Sequence, residues 1–149
     1  MPDLSVAAFD ELEPRTAYAL WRLRAEVFVV EQQCFYQDLD GRDLEPATRH
    51  VWVADGDDPV GYLRVLDEGD HLRIGRVLVA APHRGRGLAD RLMQAALEQV
   101  GSRTSVLAAQ SHLSDWYTRY GYVRDGDDFV EDGIPHTPMR RSGGTTAPR

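Results

Sequence analysis

Apolar residues along the chain change period several times, and each change marks an element. Leu4 to Phe9 is a short apolar run that predicts an edge strand. Pro14 suits a first helical turn, and Ala17, Leu20, Trp21, Arg24, Val27 and Phe28 then recur at three- and four-residue steps, predicting a helix to about Val30. Only Arg24 breaks that stripe, so it either snorkels to solvent or reaches into a site. Glu31 to Ala47 has little periodicity and reads as a long loop with at most one helical turn. His50–Ala54, Val60–Leu66 and Arg73–Val79 are apolar runs separated by Asp55-Gly56-Asp57-Asp58-Pro59 and Glu68-Gly69-Asp70, the spacing of an antiparallel meander.

A glycine-rich loop, Ala80 to Gly87, leads into a second helix, Leu88 to about Val100. Leu88, Leu92, Met93, Ala96 and Val100 form its core stripe, and Gly101 caps its end. The strand Ser105–Gln110 follows. Strand, helix and strand make a crossover unit, in which the two strands run parallel. Leu113 to Tyr120 predicts a short helix with Leu113, Trp116, Tyr117 and Tyr120 on one face, and Tyr122–Arg124 starts another strand. Phe129 to Arg141 predicts a final hairpin around Gly133-Ile134-Pro135. Residues 1–141 read as one α/β domain, and the Gly/Thr/Pro-rich residues 142–149 as a disordered tail.

Composition narrows the partners. The formal net charge of −7 argues against nucleic acid and suits a cationic partner such as an amine. No apolar run is long enough to span a membrane, and the N-terminus has no secretory pattern. Cys34 is the one cysteine, which excludes an internal disulfide and agrees with a reducing, cytoplasmic setting. The chain contains no lysine, which removes Schiff-base chemistry. Asp38-Leu39-Asp40-Gly41 resembles the opening of a calcium loop, but the position that should close it is Arg49, so no metal is expected. Glu31, Asp38, Asp40 and Asp43 are instead acids placed to meet an amine.

The loop Arg84-Gly85-Arg86-Gly87-Leu88-Ala89 carries the candidate chemistry. Gly85 and Gly87 let the backbone bend and approach a ligand closely. The first amides of the following helix lack partners inside it and point at its positive end, which suits an anion. Arg84 and Arg86 add guanidinium donors for phosphate oxygens. A P-loop is excluded, because it needs a lysine. The dinucleotide fingerprint is excluded too, because its third small residue is Asp90, a carboxylate aimed at the phosphate.

Arg84 to Ala89 resembles the Q/R-x-x-G-x-G/A signature of the GNAT superfamily of N-acetyltransferases. Gln110 with Tyr117 and Tyr120-Gly121-Tyr122 resembles the family's second signature, an amide replacing its usual asparagine. Leu23 to Gln32, Tyr36 to Gly41 and Glu131 to His136 are similar to the ElaA-like subfamily, and the resemblance spans about Leu4 to Arg141. It implies a mostly antiparallel mixed sheet that splays between two central parallel strands and is flanked by about four helices. Acetyl-CoA would enter the splay, held by Leu78, Val79, Arg84, Gly85, Arg86, Gly87, Leu88, Ala89 and Gln110. A primary amine of a small molecule or peptide would attack the thioester directly. Tyr117 stands at the family's position for the general acid.

The strand Ile74–Val79 lacks the carboxylate many relatives use as a base. Glu31, Asp38, His50, His112 and His136 are the other candidates, each also readable as a surface or structural group. Cys34 as an acylated nucleophile would need a neighbouring histidine. Two alternatives stand beside the acetyltransferase. Leu23-Arg24 to Val27-Phe28 also resembles the start of acyl-homoserine lactone synthases, and the missing carboxylate motivates a silent CoA-binding sensor or interaction domain. Many such folds dimerise, so a homodimer is compatible with the resemblance, though no stripe here marks an interface.

Overall fold

The computed structural model describes residues 2–143. Its eight strands are β1 (Asp3–Ala7), β2 (Arg49–Asp55), β3 (Asp58–Asp67), β4 (Leu72–Val79), β5 (Ser105–Gln110), β6 (Val123–Arg124), β7 (Phe129–Glu131) and β8 (Ile134–Arg141). They form one sheet ordered β1-β2-β3-β4-β5-β8-β6, with β7 paired to β8. Every pairing is antiparallel except β4 with β5. β1 pairs only with β2 and is the expected edge strand.

Among the described residues three α-helices flank the sheet: α1 (Pro14–Arg24), α2 (Leu88–Val100) and α3 (Ser114–Thr118). About four are expected. The difference lies in connections such as Phe9–Glu11 and Ala81–His83, which close one 3-10 turn and stop.

Both faces of the central sheet are covered, which is why β3 is buried along nearly its whole length. Alternation along the strands sorts side chains between two cores. Tyr62 and Leu78 pack with Leu20, Leu23, Val27 and Phe28 beneath α1. Val51, Val53, Leu63, Val65 and Ile74 pack with Leu92, Met93, Ala96 and Val100 of α2. Each fully buried aliphatic side chain of this kind contributes roughly 1.5–3 kcal/mol relative to exposure.

Three local expectations change. The first helix is α-helical only to Arg24, and Ala25–Glu31 is wound as a π-helix. The Gln32 amide reaches back five residues to the Val27 carbonyl at 3.0 Å. This wider turn keeps Val27 and Phe28 in the core, and both also line a cavity. The helix expected over Leu113–Tyr120 starts as a 3-10 turn, Ser111–Leu113, and tightens again as the Gly121 amide bonds the Thr118 carbonyl at 3.0 Å.

The final hairpin turns at Asp132-Gly133, two residues with φ of 50° and 76°, one step before the expected centre. An Asp-Gly pair at positive φ matches the twist of the strands it joins. Of the expected tail, residues 144–149 lie outside the described residues. Gly143 is tied to the domain through its amide, which donates to Thr104 Oγ1 at 2.7 Å.

Candidate active site

β4 and β5 pair at two positions only, Leu72 with Ser105 and Arg73 with Val106, and then separate. A bulge in β4 helps to drive them apart. Opposite Tyr62 to Arg64 of β3, β4 runs from Leu78 to Gly75, one residue longer. The extra residue bends the strand and increases its twist. Arg76 absorbs the bend at φ +55°, in a left-handed conformation that costs an L-residue about 1–2 kcal/mol. Contacts offset that cost: Arg76 Nε lies 2.9 Å from Asp38 Oδ1, and its guanidinium sits 5.0 Å from the centre of the Tyr36 ring. The mixed sheet splayed at its parallel pair is therefore what this chain forms.

Beyond β4 the chain makes a 3-10 turn, Ala81–His83, and enters α2 through Gly85 and Gly87, at φ of 79° and 77°. A Cβ at either would meet open space, so the backbone angle alone demands glycine. The first amide of α2 to find an internal acceptor is that of Arg91, which bonds the Gly87 carbonyl at 3.2 Å. The amides before it have the free, outward-facing character of a helix start. Gly85, Gly87, Leu88 and Ala89 line a cavity of about 430 Å³, together with Leu78 and Val79.

The charged groups around this loop are arranged differently from expectation. Arg84 is engaged by protein groups: its Nε donates to the Val79 carbonyl at 2.8 Å, and its terminal nitrogens grip Glu31 at 2.7 and 2.9 Å. That grip holds the Glu31 carboxyl below its usual range. Arg86 lines neither this cavity nor the larger one. Asp90 is not directed at the loop amides; its carboxylate accepts the Tyr120 hydroxyl. The sequence could place Asp90 on the first turn but not show the tyrosine that turns it away.

A second cavity of about 710 Å³ is lined by residues of both β4 and β5, among them Arg76 and Gln110. Leu78, Val79, Arg84 and Tyr117 line both cavities, so Tyr117 stands where they meet. Its side chain is 6% exposed, with rings of Trp116 and Tyr122 edge-on at 4.9 and 6.5 Å. Burial, with a smaller contribution from Tyr122, pushes its hydroxyl up to about 12, so it remains protonated at neutral pH. Gln110 opens on the larger cavity, where its Nε2 donates to Gln32 Oε1 at 3.5 Å.

The acidic loop does not face an amine. Its aspartates close a ring of alternating charge with three arginines. Arg24 pairs with Asp38 at 3.0 Å and Asp43 at 2.7 Å, Arg64 with Asp43 at 3.0 Å and Asp40 at 2.6 Å, and Arg76 with Asp40 at 3.4 Å and Asp38 at 2.9 Å. Arg24, the residue that broke the apolar stripe, is a fully buried member of this ring, so it does neither of the two things its position suggested. Burying charges is costly unless each is paired, and every charge in the ring has an opposite partner, although Arg64 Nε and Arg76 Nε find no hydrogen-bond acceptor among the described residues. At Asp40 burial works against ionisation, but the hydrogen bond from Arg64 and its neighbours outweigh it and lower the carboxyl.

His50 is also structural. Its Nε2 bonds the Asp43 carbonyl at 3.0 Å and its Nδ1 the Tyr62 hydroxyl at 2.6 Å. Of the expected bases, His112 and His136 line the larger cavity. Glu131 and Asp132 are not among the site residues the sequence predicts. They reach the same cavity because the Asp-Gly turn folds the hairpin over it. Cys34 lies there too, its thiol pushed up by burial and then by Asp132 and Glu131, which opposes a nucleophilic thiolate.

The family description "Acetyltransferase (GNAT) domain" matches residues 13–142. The chain belongs to the GNAT acetyltransferase family. Within that family it is ElaA-like: Protein ElaA of Escherichia coli K12 is 41% identical over 138 residues, covering 88% of this chain and 90% of that protein. The UPF0039 protein Rv2851c of Mycobacterium tuberculosis H37Rv is 47% identical over 138 residues, covering 89% and 88%.

The crystal structure of E. coli ElaA superimposes with a TM-score of 0.90 at 37% identity, covering 95% of this chain and all of that one. An acyl-CoA N-acyltransferase from Pseudomonas aeruginosa gives 0.89 at 40% identity, with the same coverage. The acyl-homoserine lactone synthase BjaI shares the fold, with a TM-score of 0.73 at 17% identity. Family and fold together make this chain an acyl-CoA-dependent N-acyltransferase by kind. A GNAT acyltransferase fold implies a CoA thioester and an acceptor substrate.

Proposed function

We propose that the chain transfers the acetyl group of acetyl-CoA to a primary amine by direct attack. The observation that carries this reading is the junction itself. The smaller cavity offers the unpartnered amides at the start of α2, the larger has room for an acceptor, and Tyr117 lines both.

In this reading the amides around Gly85 to Ala89 take the pyrophosphate, a role that fits a helix N-terminus. β4 beyond Arg73 has left its β5 partner, so its edge near Leu78 and Val79 is open to the thioester. Backbone donors there stabilise the oxyanion as the amine adds. Gln110 and Arg84 border the route between the cavities, Arg84 positioning the loop through Glu31 and Val79 rather than gripping phosphate. The leaving thiolate has an ordinary pKa of about 8.5, roughly 3.5 units below Tyr117, so full transfer in the ground state would cost about 5 kcal/mol. The proton therefore moves as the C–S bond breaks, when sulfur becomes a buried anion and its basicity rises.

Calorimetric titration with acetyl-CoA, followed by a thiol-release screen over primary amines, tests the proposal. Saturable binding and amine-dependent release are expected. Tyr117→Phe should lower kcat by roughly 10²-fold while leaving the acetyl-CoA Kd unchanged. Absence of binding at millimolar acetyl-CoA would overturn the reading. Release that depends on S-adenosylmethionine, not on amines, would favour a lactone synthase. Binding without turnover for any acceptor would favour a CoA sensor.

A further inference from the structure

β4 carries no carboxylate, yet an alkylamine reaches the site as an ammonium ion at neutral pH, since such amines titrate near 10. Something must take its proton before nitrogen can attack. The carboxylates of the 38–43 loop are committed to arginines, Glu31 is held by Arg84, and His50 is buried against Tyr62 and Asp43.

His136 differs from all of these. It lies on β8 opposite Gln110, the last residue of β5, and therefore at the open end of the wedge. Its Nδ1 sits 2.8 Å from the Ile134 carbonyl oxygen. A carbonyl only accepts, so Nδ1 carries the hydrogen and the neutral ring keeps its lone pair on Nε2. Phe129 stacks on the ring at 5.6 Å and 19°, which fixes its plane. The imidazole is half-buried and lines the same cavity as Tyr117. His112 lines that cavity too, but it is exposed and no side-chain hydrogen bond orients it among the described residues.

We propose that His136 is the general base of the transfer, its Nε2 accepting the proton of the incoming ammonium directly or through one water. This rests on the acetyl-transfer reading above. The balance closes. His136 takes one proton from the ammonium and later releases it to solvent. The neutral amine forms the C–N bond and the C–S bond breaks. Tyr117 protonates the departing sulfur and recovers its proton from the new amide nitrogen. The products are the acetamide, CoA thiol and one proton.

The experiment joins an imidazole ¹⁵N spectrum of the wild-type chain with the kinetics of His136→Gln, on a series of amines from n-butylamine to spermidine. The expected spectrum shows His136 as the Nδ1–H tautomer; an Nε2–H ring would overturn the inference. His136→Gln should bind acetyl-CoA within about twofold of wild type and lose roughly 10²-fold in kcat. That loss should shrink as pH approaches the amine's own pKa, where the base has less to do. The other charged or titratable groups lining this cavity, Cys34, Tyr36, Arg73, Arg76, Arg84, His112, Tyr117, Glu131 and Asp132, are common to both proteins, so the comparison isolates the replaced imidazole.

His136→Asn keeps an N–H donor for the Ile134 carbonyl but has no basic nitrogen. It should be as slow as the glutamine variant, and wild-type turnover in either would overturn the assignment. If wild type itself fails to bind acetyl-CoA, this inference falls with the reading beneath it. If Tyr117→Phe is slow and the His136 variants are not, it falls alone.

Discussion

Two histidines show how neighbours assign different work to one residue type. His50 donates from Nε2 to a backbone carbonyl and accepts from Tyr62, so both nitrogens are spent inside the protein. Burial lowers its pKa, the hydrogen bond and charge of Asp43 oppose that, and Arg24 and Arg64 add to it. The unfolded chain then binds a proton on this ring at a pH where the folded chain does not. Stability should accordingly be complete above the unfolded value, about 6.5, and fall as pH drops from there towards the lowered folded value. The slope from one group is at most about 1.4 kcal/mol per pH unit. Urea unfolding from pH 7.5 to 5 would check this, and His50→Gln should flatten that limb. His136 has one nitrogen tied to a backbone carbonyl and lines a cavity. Nothing in the sequence distinguishes the two, because the distinction rests on partners brought from other strands.

Among the elements, α2 and the two strands beside it show how close packing fixes a site. Gly61 of β3 lies beneath the helix, where an added Cβ would stand 2.9 Å from Val53 Cγ2 and 3.2 Å from Leu92 Cδ1. Side-chain tips can shift, but the surrounding core is full, so Gly61→Ala should destabilise by about 1–2 kcal/mol in denaturant titrations. It should also push the start of α2 away from β4, and acetyl-CoA affinity should weaken with it.

Helix α2 and strand β5 are legible in the sequence, because each has an uninterrupted period and a clear stop. The π-helical end of the first helix and the bulge at Arg76 are not. Both are departures from a period. What holds the bulge, the Asp38 carboxylate and the Tyr36 ring, comes from the loop that has no period to read.

At the scale of the whole molecule, the sheet is a wedge held shut at Leu72–Arg73 and Ser105–Val106 and open beyond. A cofactor bound in the opening would bridge two halves of the sheet that otherwise touch through few backbone bonds. At a concentration of 100 times its Kd, acetyl-CoA should stabilise the fold by about 2.7 kcal/mol. For a chain of this size that raises Tm by roughly 5–10 °C, measurable by scanning fluorimetry. Absence of a shift at saturating acetyl-CoA would count against binding in the wedge. Amide exchange should slow most in β4 beyond Arg73 and in the first turn of α2.

The sequence alone determined the order of elements, the crossover unit and the glycine loop that opens α2, because period, turn chemistry and spacing are local properties. It also placed Tyr117 on its helix. Tertiary structure alone decided which charges were free to act. Six side chains distant in sequence closed into the Arg24–Asp43–Arg64–Asp40–Arg76–Asp38 ring, Glu31 took Arg84, and Tyr120 took Asp90. The physical reason is that ionic and hydrogen-bond partners are chosen by proximity in space. A carboxylate read along the chain looks available until the fold shows which guanidinium or hydroxyl is beside it.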